Sequence, residues 1–567
     1  MKRKLIALLL CTALLAGIFS VGANAAADDL WLGIRSAVPY KYACDVFRYI
    51  PAAAEWMDKG LRIHDYPYVS FGYNLMYYLL LPFGAAANVV GGLFSPKHAC
   101  RFCVPDYEVP VRFRSENLAP GASVCASEGK GAARLLEDSR KCWTPTVEGA
   151  YAELRLARES TINLAVIEEL GEHVLYFRLQ AWVDGVWKEI YRGNKIQRYR
   201  LCGFEPVTTD RLRLVIEEMR EGEPVRIKSI ALYNEPKRDA EGFEVAAYTH
   251  LKGRWNDTRP SLHHLRFSEI VARGEADAYA RYYDVYNTVI LFQSVYFNDD
   301  GDMLYDGGEE FFARELAALK EVIARRTNPH EVKLILDLLS NGADFGSLGI
   351  NGLMPLHWEK IADQAIAFLM KYDLDGLAID WEFPETEDEW RIHDSFVARL
   401  DDGLKAAKPG ATLSGAFFPH AMGDMSLETA ARFDRIQYMA YDDNDRDGFN
   451  SSLGSAQGGV ASIVRRKNVD VGKINIGIGM YCNVKRYTPW KDQPGTNYWD
   501  CKYYNESTGG YLGFCSPALA GDKVTYALLT GAGGVMVWCF EHDLPMDDPA
   551  SITGGMEDAL KRYTTNW

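Results

Sequence analysis

Short segments of alternating apolar and polar residues occupy the chain from about residue 113 to residue 236, with turn residues between them. Three examples are residues 152–156, 174–180 and 211–216. Alternation with a period of two over five to seven residues is typical of strands that bury one face. Several such strands at this spacing predict a β-sandwich domain over residues 113–236.

The pattern changes after a charged linker at residues 236–239. Apolar strand candidates then alternate with amphipathic helical stretches such as residues 310–325, 358–371 and 390–407. The strand candidates are residues 245–248, 288–296, 332–338, 376–382, 413–418, 436–441, 474–480 and 534–538. Eight β/α units over residues 241–567 predict an α/β fold, a (β/α)8 TIM barrel. A doubly wound open sheet has the same alternation, but the glycine-rich phosphate turn of such sheets is missing after the first strand.

The N-terminus has the pattern of a secretory signal peptide. Three basic residues follow Met1, an apolar run covers residues 5–21, and Ala23-Asn24-Ala25 is a small-x-small cleavage site. We therefore expect a signal peptide over residues 1–25 and a secreted, extracellular or cell-surface protein, with an uncleaved membrane anchor as the alternative.

Residues 26–112 match no domain pattern. An uncharged run covers residues 66–96, and its apolar part, residues 72–94, is long enough for a membrane span. Pro82 and the glycines at positions 84, 91 and 92 interrupt it. We interpret it as a segment buried against protein rather than in contact with a membrane.

Composition narrows the classes of partner. The chain has 567 residues, 48% of them hydrophobic, and a formal net charge of −15. That balance is typical of a globular protein, and an acidic surface repels the phosphate backbone of nucleic acids. Neutral carbohydrate meets no such repulsion.

The chain contains 11 cysteines, of which ten would remain once Cys11 leaves with the signal peptide. An even number in an exported protein predicts disulfides. The cluster expected to contain them is Cys482, Cys501, Cys515 and Cys539. Cys100 and Cys103 have the spacing of half a zinc site, but no second Cys or His pair at metal spacing follows them. We therefore expect no metal and no cofactor.

The fourth strand candidate contains two acidic residues close together. Side chains alternate along a strand, so Gly376, Ala378, Asp380 and Glu382 share one face. Asp380 and Glu382 then face the barrel interior at the carboxyl end of the strand, where such barrels have their active sites. Burying two like charges without a purpose is costly, although a solvated strand end or a metal-binding pair has the same pattern.

The segment 375–384, Asp-Gly-Leu-Ala-Ile-Asp-Trp-Glu-Phe-Pro, resembles the signature Asp-x-x-Asp-x-Asp-x-Glu of glycoside hydrolase family 18, the chitinase family. Three further segments resemble family motifs on strands six, seven and eight. They are residues 437–442, with Met-x-Tyr-Asp, residues 477–481, and residues 533–538 followed by Asp543. The resemblance covers residues 241–567.

The resemblance implies substrate-assisted catalysis, an exception to the scheme in which an enzyme carboxylate is the nucleophile. Glu382 would protonate the glycosidic oxygen, Asp380 would hold the acetamido N–H, and Tyr441 would hydrogen-bond the acetamido oxygen. The substrate's own 2-acetamido oxygen would attack the anomeric carbon. The residues implied to bind the sugar are Trp538, as the floor of the cleavage subsite, and Asp375, Met439, Asp442 and Tyr481.

Two positions depart from the family pattern. Ala378 stands where the family has its middle Asp, whose carboxylate couples to the next one, so we expect a simpler titration and retained activity. On the third strand, Ser340-Asn341-Gly342 replaces the usual Ser-x-Gly-Gly.

The sandwich region resembles a discoidin-like (coagulation factor type C) module. The resemblance is carried by residues 115–119, 142–145, 184–187 and 227–233. Such modules bind sugars in some proteins and are spacers in others.

The expected function is a secreted glycoside hydrolase that cleaves β-1,4 bonds next to N-acetylglucosamine in an oligo- or polysaccharide, as chitinases do. An endo-β-N-acetylglucosaminidase acting on the chitobiose core of N-glycans is an alternative. A non-catalytic lectin is another alternative, but family lectins usually lack the acid at the position of Glu382, which is present here.

Overall fold

The computed structural model describes residues 109–567 apart from 138–141, 253–264, 341–345, 420, 483–487, 494–495 and 507–508. The expected signal peptide, the apolar run 72–94 and the Cys100/Cys103 pair lie outside the described residues. No helix within the described ranges is long and apolar enough to cross a membrane.

The first part of the described chain is an antiparallel sheet of six strands. They are β1 (Ser123–Ala126), β2 (Tyr151–Glu169), β3 (Val174–Val183), β4 (Val186–Asn194), β5 (Tyr199–Met219) and β6 (Ile227–Tyr233). Their order is β1-β2-β5-β3-β4, and β6 pairs with β2. The alternating segments 152–156, 174–180 and 211–216 fall within β2, β3 and β5. The strands are thus antiparallel, while the discoidin-like sandwich stays a prediction.

The second part contains a closed barrel of eight parallel strands, as the sequence predicts. The barrel strands are β7 (Glu244–His250), β8 (Thr288–Phe292), β11 (Lys333–Leu338), β12 (Gly376–Ile379), β13 (Thr412–Phe417), β14 (Arg435–Tyr438), β15 (Ile474–Gly479) and β20 (Gly534–Trp538). Each overlaps one of the eight strand candidates. The TIM-barrel prediction is confirmed.

Short hairpins extend from the carboxyl ends of the second and seventh barrel strands. Their strands are β9 (Val295–Phe297), β10 (Met303–Tyr305), β16 (Tyr481–Cys482), β17 (Thr488–Pro489), β18 (Lys502–Asn505) and β19 (Gly510–Gly513). The helices are α1 (Phe267–Ala272), α2 (Ala276–Ala280), α3 (Glu309–Ala324), α4 (Gly349–Tyr372), α5 (Glu387–Ala407), α6 (Leu427–Arg432), α7 (Leu453–Lys467), α8 (Pro517–Thr530) and α9 (Ile552–Tyr563).

Local sequence explains where the helices next to the site begin. The Thr386 hydroxyl accepts a hydrogen bond from the backbone N–H of Glu389, whose side chain bonds back to the Thr386 backbone, so α5 starts with a capping box just after the fourth strand. Ser516 caps α8 in the same way, with Pro517 in the first turn. These caps satisfy backbone donors that have no partner inside the helix.

The antiparallel sheet and the barrel belong to one compact unit that begins at residue 108. A buried ion pair joins them, in which the Arg200 guanidinium donates to Asp522 on α8 at 2.5 Å. The Tyr191 hydroxyl donates to the same carboxylate at 2.8 Å. The buried Tyr563 of α9 donates its hydroxyl to the Asn163 carbonyl on β2. The sheet is therefore fastened to the barrel by directional bonds as well as apolar packing.

The expected disulfide cluster is wrong. Cys482, Cys501, Cys515 and Cys539 are all buried free thiols. Burial raises the pKa of Cys482 and Cys539, so these thiols are protonated and behave as small apolar groups. Spacing along the chain does not report the distance between two Cβ atoms, which decides whether a disulfide can form.

Candidate active site

The fourth barrel strand presents its side chains as the alternation predicts. Ala378 lies in the cluster of side chains inside the barrel, whereas Leu377, Ile379 and Trp381 lie in the core between the barrel and its helices. Trp381 donates its indole N–H to Asn351 on α4 at 2.8 Å. The strand thus directs Asp380 and Glu382 into the mouth of the barrel.

Asp380 and Glu382 form a pair of interacting carboxyl groups. Asp380 is buried, with 3% of its surface exposed, and Glu382 at the rim is half-buried. Burial raises the pKa of Asp380 well above its usual range, and the charges of Asp337 and Glu382 raise it further. The Asp380 Oδ1 atom has no hydrogen-bond partner among the described residues.

The pKa of Glu382 is also raised. Burial is the main cause, and it is opposed by a hydrogen bond with Asp380 and reinforced by the charge of Asp442. A carboxyl group that keeps its proton above the usual pH range is suited to act as a general acid. The peptide bond from Glu382 to Phe383 is cis.

Strand six brings a tyrosine to the same pocket. Tyr441 is buried inside the barrel, and burial together with the charges of Asp380 and Glu382 raises the pKa of its hydroxyl, which therefore stays protonated. The next residue, Asp442, accepts a hydrogen bond from the Tyr481 hydroxyl at 2.8 Å. The Tyr441 and Tyr481 rings meet edge to face at 6.0 Å. Met439 lines the barrel interior beneath them.

An aromatic wall closes the other side of the pocket. Trp538 ends the eighth strand and contacts Phe292 edge to face, with ring centroids 4.5 Å apart. Tyr248 on the first strand packs against the same indole at 5.5 Å. Trp538 stays partly exposed, so part of its ring is available to a ligand. Apolar ring faces of this kind suit the C–H face of a pyranose.

Two residues singled out from the sequence lie away from this pocket. Asp375 precedes the strand at its amino end, where its carboxylate accepts from the Leu334 N–H at 2.9 Å and lies 3.5 Å from the Lys408 ammonium. Asp543 accepts from the Ile552 and Thr553 N–H groups at the start of α9. Both carboxylates are engaged in holding backbone.

Sequence reasoning missed three polar side chains inside the barrel. Asp337 on β11 and Ser414 on β13 are 1% and 0% exposed, and both lie in register with Ala378 on β12 between them. The Tyr248 hydroxyl is buried too. One signal pointed to Asp337: it is an acid within the apolar run Leu334 to Leu339. A charged residue in the middle of a buried strand is costly and is often functional.

One buried group of described residues has the composition of a metal site. His250, Cys539 and Glu541 each offer a ligand atom, and these atoms lie within 4.8 Å of one another. Glu541 already accepts from the His250 backbone N–H at 2.5 Å and lies 3.4 Å from the His250 ring. The His250 ring also contacts Trp538 edge to face at 6.0 Å, so the group supports that indole.

Residues 342–543 match the family model described as Glycosyl hydrolases family 18. This stretch contains the strands that carry Glu382, Tyr441 and Trp538. This part of the chain is therefore similar to family 18 glycosyl hydrolases. None of the curated proteins compared with the chain matches it.

Solved structures that match the chain include two chitinases and a chitinase-like agglutinin. The GH18 chitinase ChiB of Flavobacterium johnsoniae is 17% identical, with a TM-score of 0.41 over 56% of this chain and 93% of its own. A chitinase from Bacteroides thetaiotaomicron is 16% identical, with a TM-score of 0.42 over 56% and 97%. The chitinase-like agglutinin RobpsCRA of Robinia pseudoacacia is 14% identical, with a TM-score of 0.41 over 55% and 98%.

Proposed function

We propose that the barrel is a glycoside hydrolase that cleaves β-1,4 bonds next to N-acetylglucosamine by substrate-assisted, retaining catalysis, as chitinases do. The expected export signal at residues 1–25 supports action outside the cell as part of this proposal. The observation that carries it is the pair Asp380 and Glu382, two coupled carboxyl groups of different exposure at the carboxyl end of one strand.

In the first step Glu382 donates its proton to the glycosidic oxygen, and the bond from that oxygen to the anomeric carbon breaks. The acetamido oxygen of the same sugar forms a bond to the anomeric carbon, giving a cyclic oxazolinium ion. The raised pKa of Glu382 supports this role, because the donor must hold its proton at the working pH.

Asp380 has the features needed to guide the acetamido group. It is buried and its Oδ1 atom has no partner within the described structure, so an N–H donor from the substrate fits there. A carboxylate at that position also stabilises the positive charge of the oxazolinium ion. The protonated Tyr441 hydroxyl supports a hydrogen bond to the acetamido oxygen.

In the second step a water molecule attacks the anomeric carbon and gives its proton to the Glu382 carboxylate. The oxazolinium ring opens, and the product keeps the original anomeric configuration. Trp538 provides an apolar platform for the ring at the cleavage point, and Asp442 and Tyr481 provide polar contacts beside it.

The retained acid favours this proposal over a sugar-binding lectin. Keeping a buried carboxyl group coupled to a half-buried one has a free-energy cost, for which catalysis gives a reason. Incubation of the full chain with chitin oligomers and, in parallel, with an N-glycoprotein tests the proposal, with products identified by mass spectrometry.

We expect N-acetylglucosamine oligomers with retained anomeric configuration, read by NMR at early times. Cleavage of the N-glycoprotein alone would move the assignment to an endo-β-N-acetylglucosaminidase. If the protein bound the oligomers but cleaved them at no pH from 4 to 8, its function would be that of a non-catalytic lectin.

A further inference from the structure

The barrel contains a third buried carboxyl group beside the proposed catalytic pair. Asp337 on β11 pairs in register with Ala378 on β12, and the Asp380 N–H donates to the Leu338 carbonyl at 2.9 Å. Asp337 shares its face of the strand with Ile335, which lies inside the barrel. Its carboxyl group therefore points into the same interior as Asp380.

The surroundings of Asp337 do not compensate a charge. The side chain is 1% exposed, and neither carboxyl oxygen has a hydrogen-bond partner of normal geometry among the described residues. Ala378, its partner across the strands, has only a methyl side chain and therefore offers Asp337 no polar atom. Buried acids without a partner are uncommon and concentrate at functional sites.

The described groups that interact with the Asp337 carboxyl come from several elements. No cation is among these described groups. They are Asp380 and Glu382 on the fourth strand, Tyr248 on the first and Ser340 after the third. Like charges in one poorly solvated pocket do not ionise independently, and their protons are lost as a set.

We propose that Asp337 is a positioning residue for the proposed reaction: its carboxyl group lies in the same buried interior as Asp380 and, through its charge, controls when Asp380 is ionised to accept the acetamido N–H. This inference rests on the proposed function.

The direction of the coupling gives a test. The negative charge of Asp337 raises the pKa of Asp380, so removing that charge lowers it. Asp337→Asn keeps the shape and removes the charge. In this variant we expect the acidic limb of the profile of kcat/KM against pH, measured on a fluorogenic chitotrioside, to move by roughly one unit to lower pH.

Two further variants separate this role from packing. Ser414→Ala removes the polar side chain on the other side of Ala378 without changing any charge, and we expect both limbs to keep their positions. Asp337→Asn combined with Ala378→Asp returns a carboxyl group to the pocket from the neighbouring strand, and we expect the acidic limb to return toward that of the wild type. A uniform loss of activity in Asp337→Asn with unmoved limbs would overturn the proposal.

A measurement without substrate makes the result independent of activity. In the full chain labelled with 13C at aspartate carboxyl carbons, NMR titration follows Asp337 and Asp380, assigned with Asp337→Asn and Asp380→Asn. We expect each substitution to lower the midpoint of the remaining residue. Coupled titration in a protein that cleaves no oligomer would reject the proposed function alone, whereas independent titration in an active enzyme would reject the role of Asp337 alone.

Discussion

Lys195 at the end of β4 donates its buried ammonium group to Asp447 in the loop after the sixth barrel strand, at 2.7 Å. It also reaches Asp445 at 2.5 Å, and Arg220 pairs with the same Asp447 carboxylate. Burial raises the pKa of Asp447, but the hydrogen bonds from Arg220 and Lys195 outweigh burial and lower it to about 2. The antiparallel sheet thus holds the loop that follows Tyr441 and Asp442.

Replacing Lys195 by Met should destabilise the protein. The change leaves two carboxylates without their shared cation, at a cost of about 3 kcal/mol in the free energy of unfolding. Denaturant unfolding followed by tryptophan fluorescence measures this. The lowered pKa of Asp447 stabilises the folded state fully only above the pH at which free Asp ionises. The stability lost on replacing Lys195 should therefore shrink as the pH falls from about 4 toward 2. Lys188→Met, at an exposed pair with Asp184, is the matched control and should change stability by less than about 1 kcal/mol.

Replacing Glu382 by Gln should abolish turnover with little effect on binding. The amide keeps the shape of the side chain but cannot donate the proton, so kcat should fall by about 100- to 10,000-fold. Calorimetry with a chitin oligomer should return an affinity close to that of the wild type. A Glu382→Gln protein that kept its rate would mean that another group donates the proton.

Replacing Asp442 by Asn should shift the basic limb of the pH profile. Activity requires protonated Glu382, so it is lost as the pH rises through the raised pKa of that residue. The charge of Asp442 contributes to the raised value, and its removal should move the basic limb to lower pH by about one unit or less. Asn still accepts the hydrogen bond from Tyr481. Tyr481→Phe removes that bond without a change of charge and should leave the limb in place.

Replacing Tyr441 by Phe should lower kcat by about 100-fold, the usual cost of losing one hydrogen-bond donor to the reacting oxygen. Tyr248→Phe makes a matched comparison, because both hydroxyls are buried in the same interior. The Tyr248 hydroxyl has no hydrogen-bond partner among the described residues, so its loss should leave the free energy of unfolding unchanged or slightly higher. Steady-state kinetics and denaturant unfolding on both variants measure these effects. Equal kcat values for Tyr441→Phe and the wild type would contradict the assigned contact.

Replacing Asp337 by Asn should stabilise the protein, increasingly so as the pH rises. Burial raises the pKa of Asp337 in the folded protein above its value in the unfolded chain. The contribution of Asp337 to the free energy of unfolding is therefore most favourable below about pH 4, and it is lost as the pH rises toward the pKa of the folded protein. The neutral Asn has no such dependence. The free energy of unfolding of the variant should exceed that of the wild type by about 1–3 kcal/mol at neutral pH. If the free energies of unfolding of the two proteins had the same pH dependence, the pKa of Asp337 would not be raised by burial.

The sequence was informative wherever a property depends on neighbours along the chain. The alternation around Asp380 and Glu382 predicts their shared face, and the β/α repeat predicts the eight barrel strands, because both follow from local backbone geometry. The alternation in residues 113–236 likewise predicts strands of the antiparallel sheet.

It was less informative about the cysteines and about Asp375. Cys482 and Cys539 follow different barrel strands and lie in different apolar clusters, and spacing along the chain does not report the distance between their sulfur atoms. Asp375 belongs to the matching motif but lies at the opposite end of the strand from Glu382, where it bonds the Leu334 N–H. A sequence pattern marks membership of a strand, and the fold decides which end of it faces a ligand.

Ala378 shows most clearly what the sequence determines and what only the tertiary structure decides. From the sequence, its methyl group means a missing carboxyl and a simpler titration. In the folded protein its partner in the strand register is Asp337, which precedes it by 41 positions in the chain, so a carboxyl group is present in the same layer after all. Periodicity along one strand decides which way a side chain points. Only the register between strands decides what lies beside it, because that register is set by the closure of the whole barrel.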